Sequence, residues 1–249
     1  MMKAKLKFKK KVMTGVKGLD ALLKGGLVEG RNVLLSGPAG SGKSTLAMQF
    51  AYFGAHHQGE PSLYVTLEES KEKLIEDMAK FGLDLKGAEK KGKFYLIGGP
   101  IAKLTSHMQK VDADIMDIIA EIEEVIKEKG IKRVVIDSIN LLTMLLKDGE
   151  ERRRALATLA NTLSSLGCTT IMISETEEGT MKLSRYGIEE FIVDGIIALY
   201  LVRQGSRFVP GITVRKMRGS DHDREIRVYK ITSKGFVVYP TETMFEEFN

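Results

Sequence analysis

Apolar and polar positions follow two periods along this chain, and the switches between them mark its elements. Short apolar runs recur at Val33-Leu34-Leu35, Leu63-Tyr64-Val65-Thr66-Leu67, Phe94-Tyr95-Leu96-Ile97, Val134-Val135-Ile136-Asp137 and Thr169-Thr170-Ile171-Met172-Ile173. Each has strand length and is apolar nearly throughout, which predicts strands buried on both faces. Between them the period becomes helical. Leu46 to Phe53 follows the first run and Lys71 to about Phe81 the second. From Ala113 to Lys129, residues Ile115, Ile118, Ile119, Ile122, Val125 and Ile126 recur at helical spacing until Gly130 stops the helix. A further helix is expected from about Glu151 to Leu166, with Leu156, Leu159 and Leu163 as its apolar stripe. Strands alternating with helices predict βαβ units and a largely parallel sheet.

After residue 190 the pattern turns to β throughout, with runs at Ile196–Val202, Val209–Lys216, Ile226–Ile231 and Phe236–Tyr239. These predict an antiparallel extension at one edge of the sheet. Near the start, Gly25-Gly26 ends a short helix and Gly30 turns the chain into the first buried strand. The expected fold is α/β, a mostly parallel twisted sheet flanked by helices, with residues 14–249 as one domain. Residues 1–13 hold a lysine-rich segment, Lys3 to Lys11, in which Lys alternates with Leu6 and Phe8. It reads as an edge strand with one charged face, or as an arm that meets a neighbouring subunit or nucleic acid.

Composition narrows the class. At 249 residues and 43% hydrophobic content the chain can bury a sizeable core. Its one cysteine, Cys168, excludes a disulfide within the chain, sits in an apolar run, and points to a reducing cytoplasm. No apolar run is long enough to span a membrane, and none near the start has the form of a signal peptide. Charged residues at 29%, with no Trp, resemble a thermophile's composition. A net charge of +5 permits contact with nucleic acid without demonstrating it.

Gly37-Pro38-Ala39-Gly40-Ser41-Gly42-Lys43-Ser44-Thr45 carries the strongest chemical signal. It has Gly, four residues, Gly, Lys and then Ser, between a strand and a helix, which is the context a phosphate-binding loop requires. The glycines let backbone N–H groups turn inward on phosphate oxygens, and the helix N-terminus adds positive potential. Lys43 then reaches the β- and γ-phosphates and the Ser44 hydroxyl ligates Mg²⁺. Asp137, ending a buried strand, stands where such proteins hold Mg²⁺ with a carboxylate; capping the next helix is its other reading. Glu68 and Glu69 follow a strand. If that strand lies beside the phosphate-loop strand, both emerge at the edge of the sheet where ligands bind, and one can orient or deprotonate an attacking water. Adjacent residues project differently, so at most one of the two is expected to face it, and both read equally as solvated acids at a helix start. Alternation puts Lys216 and Arg218 on one face, which suggests an anion there, such as a triphosphate; a basic strand facing water or a nucleic-acid strip is the other reading. Arg152-Arg153-Arg154 read as a solvated or intersubunit face, and His56-His57 as cations at a helix C-terminus. No set of residues has the spacing of a zinc site.

These residues together resemble the KaiC-like group of RecA-type ATPases. The resemblance rests on the loop at 37–45, Glu68-Glu69, Val-Ile-Asp-Ser at 135–138 and Ser-Arg-Tyr-Gly-Ile-Glu-Glu-Phe at 184–191. Lys-Met-Arg-Gly-Ser-Asp-His-Asp at 216–223 and Ile-Thr-Ser-Lys-Gly at 231–235 complete it. It implies a RecA-like fold and a homohexameric ring with ATP between subunits. Gly40, Ser41, Gly42, Lys43, Ser44 and Thr45 would bind phosphates. Lys216 and Arg218 would approach the neighbour's γ-phosphate, with Met217, Ser220 and His222 near its ribose and phosphates. Thr232 and Ser233 also match nucleotide positions, although Ser233 stands where a family member has aspartate. Glu68, and less directly Glu69, would be the catalytic carboxylates, and Mg²⁺ would sit on Ser44 and Asp137. The clock protein of the family carries two copies of this unit and this chain has one. The clock protein's autophosphorylated half has Ser-Thr where this chain has Glu189-Glu190, so autophosphorylation is not expected there. Two other readings stay open: a recombinase-like DNA-binding ATPase, with loops near 140–150 and 175–187 carrying Lys147, Lys182 and Arg185, and a regulatory scaffold that ATP holds together with slow turnover. The protein partner and the biological process are not legible.

Overall fold

The computed structural model describes residues 10–98, 115–144, 146, 148–180 and 182–244. The N-terminal segment up to Lys9, with Leu6 and Phe8, lies outside the described residues, as do Ala113 and Lys147. The strands are β1 (Lys11–Val12), β2 (Leu27–Val28), β3 (Asn32–Gly37), β4 (Ser62–Thr66), β5 (Phe94–Gly98), β6 (Arg133–Asp137), β7 (Thr169–Glu175), β8 (Gly195–Gln204), β9 (Arg207–Met217), β10 (Arg227–Thr232) and β11 (Gly235–Thr243). The helices are α1 (Leu19–Leu22), α2 (Lys43–Phe53), α3 (Lys71–Ala79), α4 (Leu85–Lys90), α5 (Ile115–Lys129), α6 (Ile139–Met144), α7 (Gly149–Ser165) and α8 (Glu189–Ile192).

Nine strands form one sheet in the order β11-β10-β9-β8-β3-β7-β6-β4-β5. From β8 to β5 every pairing is parallel, and β9, β10 and β11 add to β8 as antiparallel hairpins. β1 and β2 make a separate antiparallel pair, Lys11 opposite Val28. A parallel sheet needs covering on both faces, and period-2 alternation divides its side chains between two cores. Val33 and Leu35 of β3 pack with Leu46 and Phe50 of α2. Leu34, between them, faces the other way and packs with Ile118, Ile119 and Ile122 of α5 and Leu156, Leu159 and Leu163 of α7.

The expected antiparallel extension is present. The condition set for Glu68 and Glu69 is not met: β4 pairs with β6 and β5, and two strands, β7 and β6, separate it from β3. Glu68 and Glu69 still leave the C-terminal edge of the same sheet, because all these strands point the same way. The helices α4 and α6 were not legible. Each is six residues long, too short for an apolar stripe to establish a period.

Candidate functional site

The loop after β3 and the start of α2 build the floor of a cleft of about 380 Å³. Gly40 and Gly42 hold φ angles of 74° and 87°, which a side chain disfavours. Ser41 Oγ donates to the Pro38 carbonyl at 2.7 Å, and Tyr229 Oη from β10 donates to the Ser41 carbonyl at 2.7 Å. Gln49 on α2 accepts from Phe236 N at 2.6 Å, so the β10–β11 hairpin is clamped to the phosphate-loop helix. Lys43 is buried and its Nζ donates to the Pro38 carbonyl at 2.8 Å. Burial lowers its pKa, and Glu175, Asp137 and Glu68 oppose that shift.

Asp137 ends β6 with its side chain nearly inaccessible. Tyr64 Oη donates to its Oδ2 at 2.5 Å, and the Ser44 hydroxyl is close enough to favour its charged form. Desolvation raises its pKa despite those two hydroxyls, and Glu68 adds to the rise. The peptide between Asp137 and Ser138 is cis. A hydroxyl and a carboxylate, both hard oxygen donors, thus meet at the mouth of a phosphate loop, which is the donor set that fits Mg²⁺. Among the described residues no group of three or more His, Cys, Asp or Glu could hold a metal ion by itself.

Glu68 and Glu69 diverge. Ser138 Oγ donates to Glu68 Oε1 at 2.6 Å, directing that carboxylate over the cleft beside Asp137. Glu69 turns to Lys73, 2.8 Å away on the first turn of α3, while Thr66 fixes the Glu69 backbone through both its N–H and its carbonyl. Sequence reasoning missed Glu175, at the end of β7, whose carboxylate reaches the cleft and whose N–H is held by Asn140 Oδ1 at 2.6 Å. The signal was present: Glu175 closes the apolar run that begins at Thr169, as Asp137 closes its own. Among the described residues the cleft is therefore lined by four carboxylates, Glu68, Glu69, Asp137 and Glu175, and one cation, Lys43.

The residues singled out near the C-terminus fall into two groups. Thr232 and Ser233 form the turn between β10 and β11 beside the phosphate loop, next to Ile231, which lines the cleft. Thr232 Oγ1 accepts from Lys234 N and bonds the Gly235 carbonyl. Lys216, Met217, Arg218, Ser220 and His222 lie at the other end of the sheet. β9 runs against the parallel strands, so Met217 pairs with Gly195, and Gly195 with Val33 at the base of β3. Four residues of strand, about 13 Å, then separate Val33 from Gly37, before the loop begins. No side chain of this group reaches the cleft of its own chain.

Within that second group the roles differ. Met217 is buried in the core against Gly195, and its carbonyl accepts from Ser220 N at 3.4 Å. Lys216 and Arg218 were expected to share a face around an anion. The bulge at Arg215 precedes both, so their alternation around buried Met217 is kept, but Lys216 has a local use: its Nζ donates to the carbonyls of Glu190 at 2.8 Å and Val193 at 2.7 Å. Burial, with Arg218 nearby, lowers its pKa. Arg218 is exposed, its N–H bonded to the Asp194 carbonyl and its guanidinium in no ion pair among the described residues. Ser220 Oγ bonds the Lys11 ammonium, whose other partners are the carbonyls of Leu23 and Gly26. Both ring nitrogens of His222 are buried without a partner among the described residues.

Other readings take their places around this frame. Glu189 is buried and accepts from the N–H groups of Tyr186 and Ile188, while Glu190 accepts from Ser184 Oγ at 2.6 Å. Arg152 stacks on Tyr186 and donates to the carbonyls of Thr143 and Leu146, so it braces the fold rather than standing free in solvent. His56 stacks on Tyr52, and His57 packs at a tilt against Phe53. Lys182 pairs with Glu177 at 3.5 Å in a loop that also carries Glu178. Cys168 is buried and its thiol pKa is pushed up to about 11 by burial, which leaves it an unreactive thiol. Among the described residues no helix is long and apolar enough to cross a membrane.

Residues 12–243 match the model of the KaiC ATPase family. A UPF0273 protein of Methanocaldococcus jannaschii is 35% identical, over 94% of this chain and 98% of its own length. The circadian clock oscillator protein KaiC of Picosynechococcus is 33% identical over 94% of this chain, which spans 45% of that protein. Among solved structures, a KaiC-like protein of Pyrococcus horikoshii superposes with a TM-score of 0.83 at 38% identity, covering 93% of this chain and all of that one.

Proposed function

The chain belongs to the KaiC family of ATPases, and from that premise we propose that it is a Mg²⁺-dependent ATPase working as a ring, with each nucleotide site shared between adjacent copies. One observation carries this reading: among the described residues the phosphate-loop cleft is lined by a single cation, Lys43, while Arg218 stands exposed at the opposite end of the same sheet. A cleft with four carboxylates around a triphosphate needs more positive charge than Lys43 provides. A head-to-tail contact between copies brings one protomer's Arg218 edge to the next protomer's cleft, and repetition of such a contact closes a ring.

The roles follow from position. Backbone N–H groups from Gly40 to Thr45 hold the phosphates, and Lys43 leaves the Pro38 carbonyl for the β- and γ-phosphate oxygens. Ser44 and Asp137 would hold Mg²⁺, which when bound neutralises charge on those oxygens. Glu68, directed by Ser138, orients the attacking water and takes its proton. Arg218 from the adjacent copy stabilises the charge that develops on the transferring phosphoryl group. Thr232 and Ser233 border the nucleotide within the same chain. Six copies and a cytoplasmic home are part of the proposal.

A mixing experiment tests it. Lys43→Ala and Arg218→Ala proteins are each expected to hydrolyse ATP at a small fraction of the wild-type rate. Mixed, they should recover activity, because some sites then combine an intact loop with an intact arginine. Absence of recovery in mixtures shown to exchange subunits would remove the shared site.

A further inference from the structure

Phe191 is 72% exposed, the most accessible large apolar side chain among the described residues. It lies on α8, and the surroundings of α8 are unusually well fixed for a single turn. Lys216 Nζ bonds the Glu190 carbonyl on one side of Phe191 and the Val193 carbonyl on the other. Glu189 is buried on the backbone N–H groups that precede it, and Glu190 is held by Ser184. Arg218 N bonds Asp194 O, so the exposed arginine belongs to the same corner. A rigid turn that presents an aromatic ring to solvent has the form of an interface anchor, since little conformational entropy is lost when it docks.

We infer that Phe191 is the apolar anchor by which one copy of this chain seats on the nucleotide-cleft edge of the next. The inference rests on the ring reading above and names the contact that holds the shared site together. The two edges complement each other. One presents Phe191 beside Lys216 and Arg218; the other presents four carboxylates and Ile231, an apolar side chain left 43% exposed at the cleft. Lys216 is then a positioning residue. Its ammonium is committed to the carbonyls flanking Phe191, and it sets the turn that carries the anchor, leaving Arg218 to act on the nucleotide.

The test is solution mass against protein concentration, with Mg²⁺ and a non-hydrolysable ATP analogue, for wild type, Phe191→Ser and Phe191→Leu. A fluorescent ATP analogue reports binding by the single subunit. Phe191→Ser is expected to raise the concentration needed for assembly at least tenfold, with the melting temperature of the unassembled subunit and its nucleotide affinity within twofold of wild type. Phe191→Leu, which keeps apolar volume, should assemble near the wild-type concentration. Assembly of Phe191→Ser at the wild-type concentration would overturn the anchor and leave the ring standing, with Phe191 free for an unrelated partner. A wild-type protein that stays single under every nucleotide condition would overturn both.

Discussion

Ser138 Oγ donates to Glu68 Oε1 across 2.6 Å, tying the loop after β4 to the end of β6 at the mouth of the cleft. Glu69, one residue on, turns away to Lys73. The divergence separates two carboxylates that sequence leaves equivalent. Glu68→Gln is expected to lower kcat by about 10²–10⁴, the usual worth of a general base, with nucleotide affinity nearly unchanged. Ser138→Ala should lower kcat by about tenfold to a hundredfold, as loss of one hydrogen bond to a charged group does. Glu69→Gln should stay close to wild type, since an exposed ion pair contributes only about 0–1 kcal/mol. Steady-state kinetics of the three variants check the order; a larger kcat loss for Glu69→Gln than for Glu68→Gln would reverse the assignment.

Asp137 makes a prediction of opposite sign for stability and for function. Burial raises its pKa above the ordinary aspartate value of 3.8. The folded chain therefore binds this proton more tightly than the unfolded chain does. As pH rises from 3.8 through the raised folded value, this group costs stability, and the cost is complete above it. Asp137→Asn keeps an oxygen for the Tyr64 hydroxyl and removes that cost. Without nucleotide and Mg²⁺ the variant should melt at a higher temperature than wild type at neutral pH, and the gap should narrow as pH falls toward 3.8. With ATP and Mg²⁺ the order should invert, because only wild type gains stability from the metal. Thermal melts over pH, with and without the ligands, measure both effects.

The parallel sheet, the antiparallel extension and the phosphate loop were legible because each is written in local sequence: apolar runs, period changes and glycine spacing. What failed was long-range. No pattern within Leu63–Leu67 says that β7 and β6 lie between it and β3. The local use of Lys216 depends on carbonyls about 25 residues earlier in the chain, which leave no mark in the cation pattern. Glu175 was within reach, but its run was cut at Ile173, two residues before the carboxylate. The separation of the candidate site into two groups at opposite ends of the sheet follows from the direction of β9, a topological fact that alternation alone does not carry.

Arg133 shows the same limit in the core. It precedes an apolar run, which reads as the start of a strand and nothing more, yet it is 1% exposed. Its Nε donates to Glu60 Oε2 at 2.7 Å, its Nη1 to the carbonyls of Met13 at 2.8 Å and Phe50 at 3.1 Å, and its guanidinium lies over the Phe50 ring. One side chain thus joins β6 to the end of α2 and to the segment after β1. Arg133→Met is expected to cost about 3–5 kcal/mol, because it strands a carboxylate and two carbonyls. Glu60→Gln should cost less, since Glu60 is partly exposed and its amide still accepts from Nε. Denaturant titration of the two variants decides it, and equal costs would remove the arginine from its central place.

The loop glycines separate strain from collision. Gly40 and Gly42 both hold positive φ, so alanine at either costs on the order of 1–2 kcal/mol in backbone conformation. Their surroundings differ. A Cβ at Gly40 meets nothing within 4 Å, whereas one at Gly42 would stand 2.6 Å from Ile231 Cδ1 and 3.3 Å from Ile231 Cγ1 and Phe236 Cδ2. Gly42→Ala must therefore push aside the Ile231 side chain, and press on Phe236, as well as strain the loop. It should weaken nucleotide binding and lower the melting temperature more than Gly40→Ala does. Ile231→Ala removes both of the Ile231 atoms that collide and, at a half-exposed site, should cost little alone. Combined with Gly42→Ala it should restore part of the lost affinity, measured with the subunit dilute enough to stay unassembled. A double variant no better than Gly42→Ala would show that the backbone, and not the hairpin packed on it, sets the requirement for glycine at this position.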